Sequence, residues 1–147
     1  GDRPVGFGAA EIEHLEGLAN LERLWVGRTG LGDKGAESIS SLRKLQWLGI
    51  SRTAITDSGV REIAGLPDLE SLYLFGCENI KDESLRHISE MAGLRKLFLF
   101  HCPGVTDEGL LSLGTSGLTE VWVRGTAVTT EGIERLREKN PGCKVIQ

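Results

Sequence analysis

The chain has 147 residues and a formal charge of −4, which fits one domain and argues against a nucleic-acid partner held mainly through phosphates. Hydrophobic residues are 39% and charged residues 26%, ordinary for a globular chain, and no apolar run reaches the ~20 residues of a membrane span. Cys77, Cys102 and Cys143 cannot all pair within one chain, no C-x-x-C pair exists, and His14, His87 and His101 form no ligand spacing with them. Neither a disulfide scaffold nor a zinc site is expected, and no cofactor is implied. The sparse, odd cysteines, with no apolar leader in GDRPVGFGAAE, point to a reducing, intracellular (cytoplasmic) compartment.

Taken in chain order, FGAAEIEHLEGL (Phe7 to Leu18) has the spacing of a helix and reads as the second half of a repeating unit, with Ile12 and Leu15 matching Val60 and Ile63. Five segments of one form then follow: LERLWVGRT, LQWLGISRT, LESLYLFGC, LRKLFLFHC and LTEVWVRGT. Their last residues are Thr29, Thr53, Cys77, Cys102 and Thr126, at intervals of 24 or 25 residues. Each segment alternates with period two, the signature of a strand, and is followed by a stretch with helical spacing such as Val60, Ile63 and Leu66. Neither stretch can bury its apolar side alone, so neighbouring units must stack. Consecutive crossovers make the strands parallel. Thr56-Asp57, Lys81-Asp82, Thr106-Asp107 and Thr129-Thr130 open the helices and are expected to cap them through their side-chain oxygens. The chain closes on NPGCKVIQ, a partial strand with Val145 one period after Val121.

The repeated L-x-x-[LV]-x-[LVI]-x-x-[TC] resembles the leucine-rich repeat, in its cysteine-containing, ribonuclease-inhibitor-like form known from F-box substrate receptors and similar bacterial or protist arrays. The resemblance implies an α/β solenoid, a right-handed β-α superhelix with parallel strands on the concave face and helices on the convex face. Threonine stands at Thr29, Thr53 and Thr126 where that form has cysteine. The expected organisation is a single domain over 1–147: a partial unit at 1–17, five repeats over 18–140 and a partial strand over 141–147.

With the register set, the outward strand positions form three rows. The central row reads Trp25, Gly49, Tyr73, Phe98, Trp122; the row before it reads Arg23, Trp47, Ser71, Lys96, Glu120; the row after it reads Gly27, Ser51, Phe75, Phe100, Arg124. Of the aromatic residues, 3 Trp, 1 Tyr and 4 Phe, all but Phe7 fall in these rows. Half-covered rings of this size would leave on the order of 500 Å² of apolar surface, which monomers seldom expose without use. The expected function is therefore non-catalytic recognition of a protein or peptide. Trp25, Trp47, Tyr73, Phe75, Phe98, Phe100 and Trp122 supply contacts, Gly49 opens a notch for a partner side chain, and Arg52, Lys96 and Arg124 favour an acidic partner. Other readings use the same residues: the rings rigidify the sheet, Gly49 only tolerates a local twist, arginines stack on tryptophans, or another domain or a second copy of the chain covers the face. Substrate recognition for a ubiquitin ligase, carbohydrate binding and a self-associating structural solenoid are the alternative functions. Lys34/Glu37, Arg61/Glu62 and Glu83/Arg86 read as a solvated helix face.

No catalytic set converges. His101 adjoins Cys102, but neighbours at a strand end point apart and Cys102 holds an anchor position. GRTGLG (Gly27 to Gly32) lacks the phosphate-loop pattern, and Glu11/Glu13 show nothing that would raise a pKa.

Overall fold

A computed structural model describes residues 5–7, 15–28 and 30–147. Seven strands form one open parallel sheet in chain order: β1 (Val5–Phe7), β2 (Arg23–Gly27), β3 (Trp47–Ser51), β4 (Ser71–Phe75), β5 (Lys96–Phe100), β6 (Glu120–Trp122) and β7 (Lys144–Ile146). Helices α1 (Asp33–Ser40), α2 (Asp57–Ile63), α3 (Asp82–Ser89), α4 (Asp107–Ser112) and α5 (Thr130–Lys139) fill the crossovers, each packed against the next along the array. β1 is a strand that the helical reading of Phe7–Leu18 did not anticipate; it pairs with β2, Phe7 opposite Val26. Of that segment, Leu15–Gly17 is a 3₁₀ turn with Leu15 buried, while Ile12 and the Glu11/Glu13 pair lie outside the described residues.

The register is that of the repeat: Leu24 opposite Leu48, Leu48 opposite Leu72, Leu72 opposite Leu97. The inward residues Leu24, Val26, Leu48, Ile50, Leu72, Leu74, Leu97, Leu99 and Val121 are at most 1% exposed. They meet Ala36, Ile39, Val60, Ile63, Leu85, Ile88, Leu110, Ile133 and Leu136 from the helices in one continuous core. The stacking of short, one-sided elements closes this core, since the helices have only 6 to 10 residues and are too short to be stable in isolation.

The units are also pinned together by aspartates. The helix-opening carboxylates do not cap their own helices; each reaches forward into the next unit. Asp33 accepts from Thr56 N at 2.8 Å and Thr56 Oγ1 at 2.6 Å. Asp82 does the same to Thr106, at 2.7 and 2.6 Å, and Asp107 to Thr129 N at 2.7 Å and Thr129 Oγ1. Asp57 instead accepts from Lys81 N, Ser84 N and the buried Ser84 hydroxyl. Gly59, Gly109 and Gly132 occupy the Ser84 position in their units, and a side chain there would run into the aspartate. Local capping is seen only where Thr56 Oγ1 accepts from Ser58 N and Thr129 Oγ1 from Gly132 N; Lys81 and Thr106 make no such bond. The expectation of local caps is corrected for a physical reason. A carboxylate at the first helical position of one unit lies beside the free N–H groups of the next, and a stacked array supplies that neighbour every 24 or 25 residues.

The anchor residues point inward. Cys77 Sγ lies 3.7 Å from Ile50 O and 3.6 Å from Phe75 O; Cys102 Sγ lies 3.8 Å from Leu74 O and 3.6 Å from Phe100 O. Thr126 Oγ1 donates to Val123 O at 2.6 Å. Thr29 lies outside the described residues. The Thr53 hydroxyl is buried without a hydrogen-bond partner of good geometry, and the Cys77 thiol beside it is a weak acceptor. Replacing Thr53 with valine removes this unsatisfied oxygen at nearly constant volume, so urea denaturation of the variant is expected to show a gain of about 1 kcal/mol.

All three cysteines are free and buried. Burial pushes the Cys102 thiol up to about 12 and raises those of Cys77 and Cys143. A pKa raised on folding stabilises the native state below the ordinary thiol value; that stabilisation is lost as pH rises from there through the folded value. The urea midpoint is expected to fall between pH 8 and pH 10.5, and a maleimide at pH 8 to label the three thiols only after unfolding.

Candidate functional site

Side chains alternate strictly along the middle strands. In β4, Leu72 and Leu74 are buried while Tyr73 and Phe75 are only partly covered, and β5 repeats this with Leu97 and Leu99 against Phe98 and Phe100. The seven predicted rings therefore lie on one side of the sheet, opposite the aliphatic core. Six of them form a connected train, and Phe75 stands beside it, two residues after Tyr73 and opposite Phe100 in the register. Trp25 stacks on Trp47 with centroids 5.9 Å apart and reaches Tyr73 at 5.4 Å. Tyr73 contacts Phe98 and Phe100, each at 5.4 Å. Trp122 closes the train at 6.1 Å from Phe98 and 6.0 Å from Phe100. Because the rings cover one another, all are partly buried, more than the half-covering first expected. The large hydrophobic residue that stands exposed among the described ones is Leu18, off this face.

Gly49 is not an open notch. A Cβ on it would lie 2.6 Å from Trp25 Cζ3 and 2.7 Å from Trp47 Cη2. The missing side chain is what lets the Trp25 indole cross β3 and meet Tyr73 on β4. The adjoining Ser51 is likewise buried, 8% exposed.

The cations divide into two kinds. Arg23 lies over Trp47 at 5.3 Å and Arg52 over Phe75 at 5.5 Å, a cation–π use that holds each guanidinium against the train. Lys96 and Arg124 are exposed and make no ion pair among the described residues. Glu120, the acid within the rows, accepts from Trp122 Nε1 and so serves the ring beside it.

A feature at the strand ends was missed from sequence. The residue before each anchor, at Arg28, Arg52, Gly76, His101 and Gly125, has φ of 51°, 50°, 63°, 54° and 76°. The sheet imposes this left-handed turn, because Arg28, Arg52, Gly76 and His101 each donate N–H to a carbonyl of the next unit at 2.8–2.9 Å. Glycine takes the conformation freely; a residue with a Cβ pays roughly 1–2 kcal/mol. The column R, R, G, H, G was legible as a register position, but nothing in one sequence showed that it turns left-handed. Arg52 folds across Gly76, where a Cβ would lie 3.0 Å from Arg52 Cγ, and His101 folds across Gly125. His101 also meets the edge of Phe75 at 5.4 Å. Between Arg52 and His101 the surface opens into a groove of about 750 Å³, floored by Gly76 and bordered by Glu78, Asn79 and Pro103.

Cys102 is held as a neutral, buried thiol facing carbonyls, while the adjoining His101 is exposed at the turn. Among the described residues no group of three or more His, Cys, Asp or Glu is arranged to hold a metal ion. Among them, too, no helix is long and apolar enough to cross a membrane.

Comparison with known proteins agrees with this architecture. Residues 17–40 match the family model described as Leucine Rich repeat. The solved structure of a Leptospira interrogans leucine-rich-repeat protein is similar over 100% of this chain and 41% of that one, with a TM-score of 0.58 and 21% sequence identity. At that identity the likeness is one of fold, and this chain spans less than half the length of that protein. No curated protein matches by sequence. The class defined is a leucine-rich-repeat solenoid with parallel strands on one side and helices on the other.

Proposed function

We propose that this chain is a non-catalytic binding module whose ring-bearing strand face holds a protein or peptide partner of acidic character. One observation carries the reading: seven aromatic side chains from five adjacent strands share one side of the sheet, six of them in a single train of ring contacts, bordered by the exposed cations Arg52, Lys96 and Arg124. Rings with arginine beside them are what interface centres favour, and the cations add steering toward negative charge. The ring faces are largely taken up by one another, Trp25 on Trp47 and Phe98 on Trp122 with interplanar angles of 25° and 24°. That leaves edges to the outside and favours a polypeptide over a sugar, which would need open faces. The ribonuclease-inhibitor-like reading is supported by Cys77 and Cys102, whose sulfurs meet strand carbonyls in the anchor position. Three free buried thiols support the intracellular one.

The test is selection of a phage-displayed random peptide library on the whole chain, followed by titration of the winning peptides. Phe98→Ala and Trp122→Ala are each expected to weaken binding by at least ~30-fold, as interface centres do, while far-ultraviolet circular dichroism stays that of the parent. Unchanged affinity in both variants would sink the proposal. Sedimentation at several concentrations reads out the self-associating alternative directly.

A further inference from the structure

We infer that the groove between Arg52 and His101 takes a carboxylate of the bound peptide, an Asp or Glu side chain or a free C-terminus, next to the apolar segment lying on the rings. This rests on the reading of the ring face as a partner surface and assigns it a second, polar subsite.

The groove is built by alternation at one register position. Gly76 and Gly125 take the left-handed turn without a side chain, while Arg52 and His101 keep theirs at φ of 50° and 54°. Arg28 shares the strain but does not line the groove. A strained conformation retained where its neighbours use glycine points to a use for the side chains concerned. Each glycine supplies space that its neighbour fills: Arg52 lies over Gly76 and His101 over Gly125. Both side chains are exposed, and neither is in an ion pair among the described residues.

Phe75 lies between the groove and the ring train, on the same face as Tyr73 two residues before it and opposite Phe100 in the register. Arg52 covers its face at 5.5 Å and His101 meets its edge at 5.4 Å. A chain whose apolar side chains pack along Tyr73, Phe98 and Phe75 therefore arrives at a guanidinium fork and an imidazole N–H. These are the donors that bind carboxylates with geometric preference. Glu78 borders the same groove and opposes a second negative charge at its rim, so one carboxylate is favoured over an acidic run.

Peptides selected on the whole chain supply the probe. They are expected to carry Asp, Glu or a free C-terminal carboxylate beside their apolar core. Neutralising that group, by Asp→Asn, Glu→Gln or C-terminal amidation, should weaken binding about tenfold. The double variant Arg52→Gly/His101→Gly should weaken it similarly and be indifferent to the neutralised peptide, because both changes remove the same interaction. Glycine is native to this turn at Gly76 and Gly125, so the variant keeps the fold, which its urea midpoint checks. Full affinity in the double variant, or losses that simply add, overturns the groove assignment alone when Phe98→Ala still abolishes binding. Peptides indifferent to Phe98→Ala as well, or a selection without binders, overturn both the groove and the ring face.

Discussion

Asp57→Ala is expected to lower the unfolding free energy by about 3 kcal/mol, more than loss of any other aspartate in the series. Asp33, Asp82 and Asp107 each serve one backbone N–H and one partly or fully exposed threonine hydroxyl. Asp57 serves two N–H groups at the start of α3 and the hydroxyl of Ser84, which is 0% exposed. Deleting it leaves a buried hydroxyl donor that water cannot reach and takes the carboxylate acceptor from Lys81 N, while Ser84 N keeps its bond to Lys81 O at 3.0 Å. Hydrogen bonds to a charged acceptor contribute about 1.5–3 kcal/mol, and a stranded buried donor costs a further ~1–3 kcal/mol. Asp82→Ala or Asp107→Ala should cost closer to 1.5 kcal/mol, because their partners can turn to water. Urea denaturation of the three variants measures the order. Ser84→Gly, which installs the residue found at Gly59, Gly109 and Gly132, should rescue part of the Asp57→Ala loss, the two changes coupling by about 1 kcal/mol. Equal losses for Asp57 and Asp107, or strict additivity with Ser84, would show that the buried hydroxyl is not the source.

Gly49→Val should disorganise the first half of the ring train. Valine suits a strand backbone, so propensity alone predicts a gain. The structure predicts the opposite sign, because the new methyl groups would occupy the space of the Trp25 and Trp47 indoles. Overpacking of this kind costs about 1–3 kcal/mol. With Trp25 displaced from β3, its contact with Tyr73 goes and its stacking on Trp47 loosens. The near-ultraviolet circular dichroism of the tryptophans should collapse, their fluorescence should shift to the red, and selected peptides that depend on Trp25 should bind at least tenfold more weakly. An unchanged near-ultraviolet spectrum would mean that Trp25 does not lie across Gly49. Phe98→Ala separates the two halves, for Phe98 touches Tyr73, Phe100 and Trp122 and neither Trp25 nor Trp47.

Much of this molecule was legible because a repeat reports the same physics several times. LESLYLFGC alone is an ambiguous apolar run; five such segments in register assign strand, facing and stacking together. The rings were found by counting alternate positions, since a strand sends side chains to opposite faces whatever surrounds it. Relations between units were not legible. Thr56 and Asp57 read as a local cap because capping chemistry acts within one turn, whereas Asp57 finds its partners 24 and 27 residues on. Gly49 read as a gap because a sequence lists what a position lacks and not what a neighbour places there. Arg52 and His101 gave no sign of a left-handed turn, because the carbonyls of the following unit impose it.

By itself, then, the sequence determined the period, the strand and helix of each unit from β2 to α5, the aliphatic interior and the one-sided placement of the rings. All of these follow from local alternation and the need of each unit to bury its apolar side. Tertiary structure alone decided that the rings cover one another, that Trp25 fills the space above Gly49, that aspartates bind successive units, and that a polar groove opens beside Phe75. Those features depend on side chains about 24 residues apart meeting at strand-to-strand distance, and only the stacked sheet sets that distance.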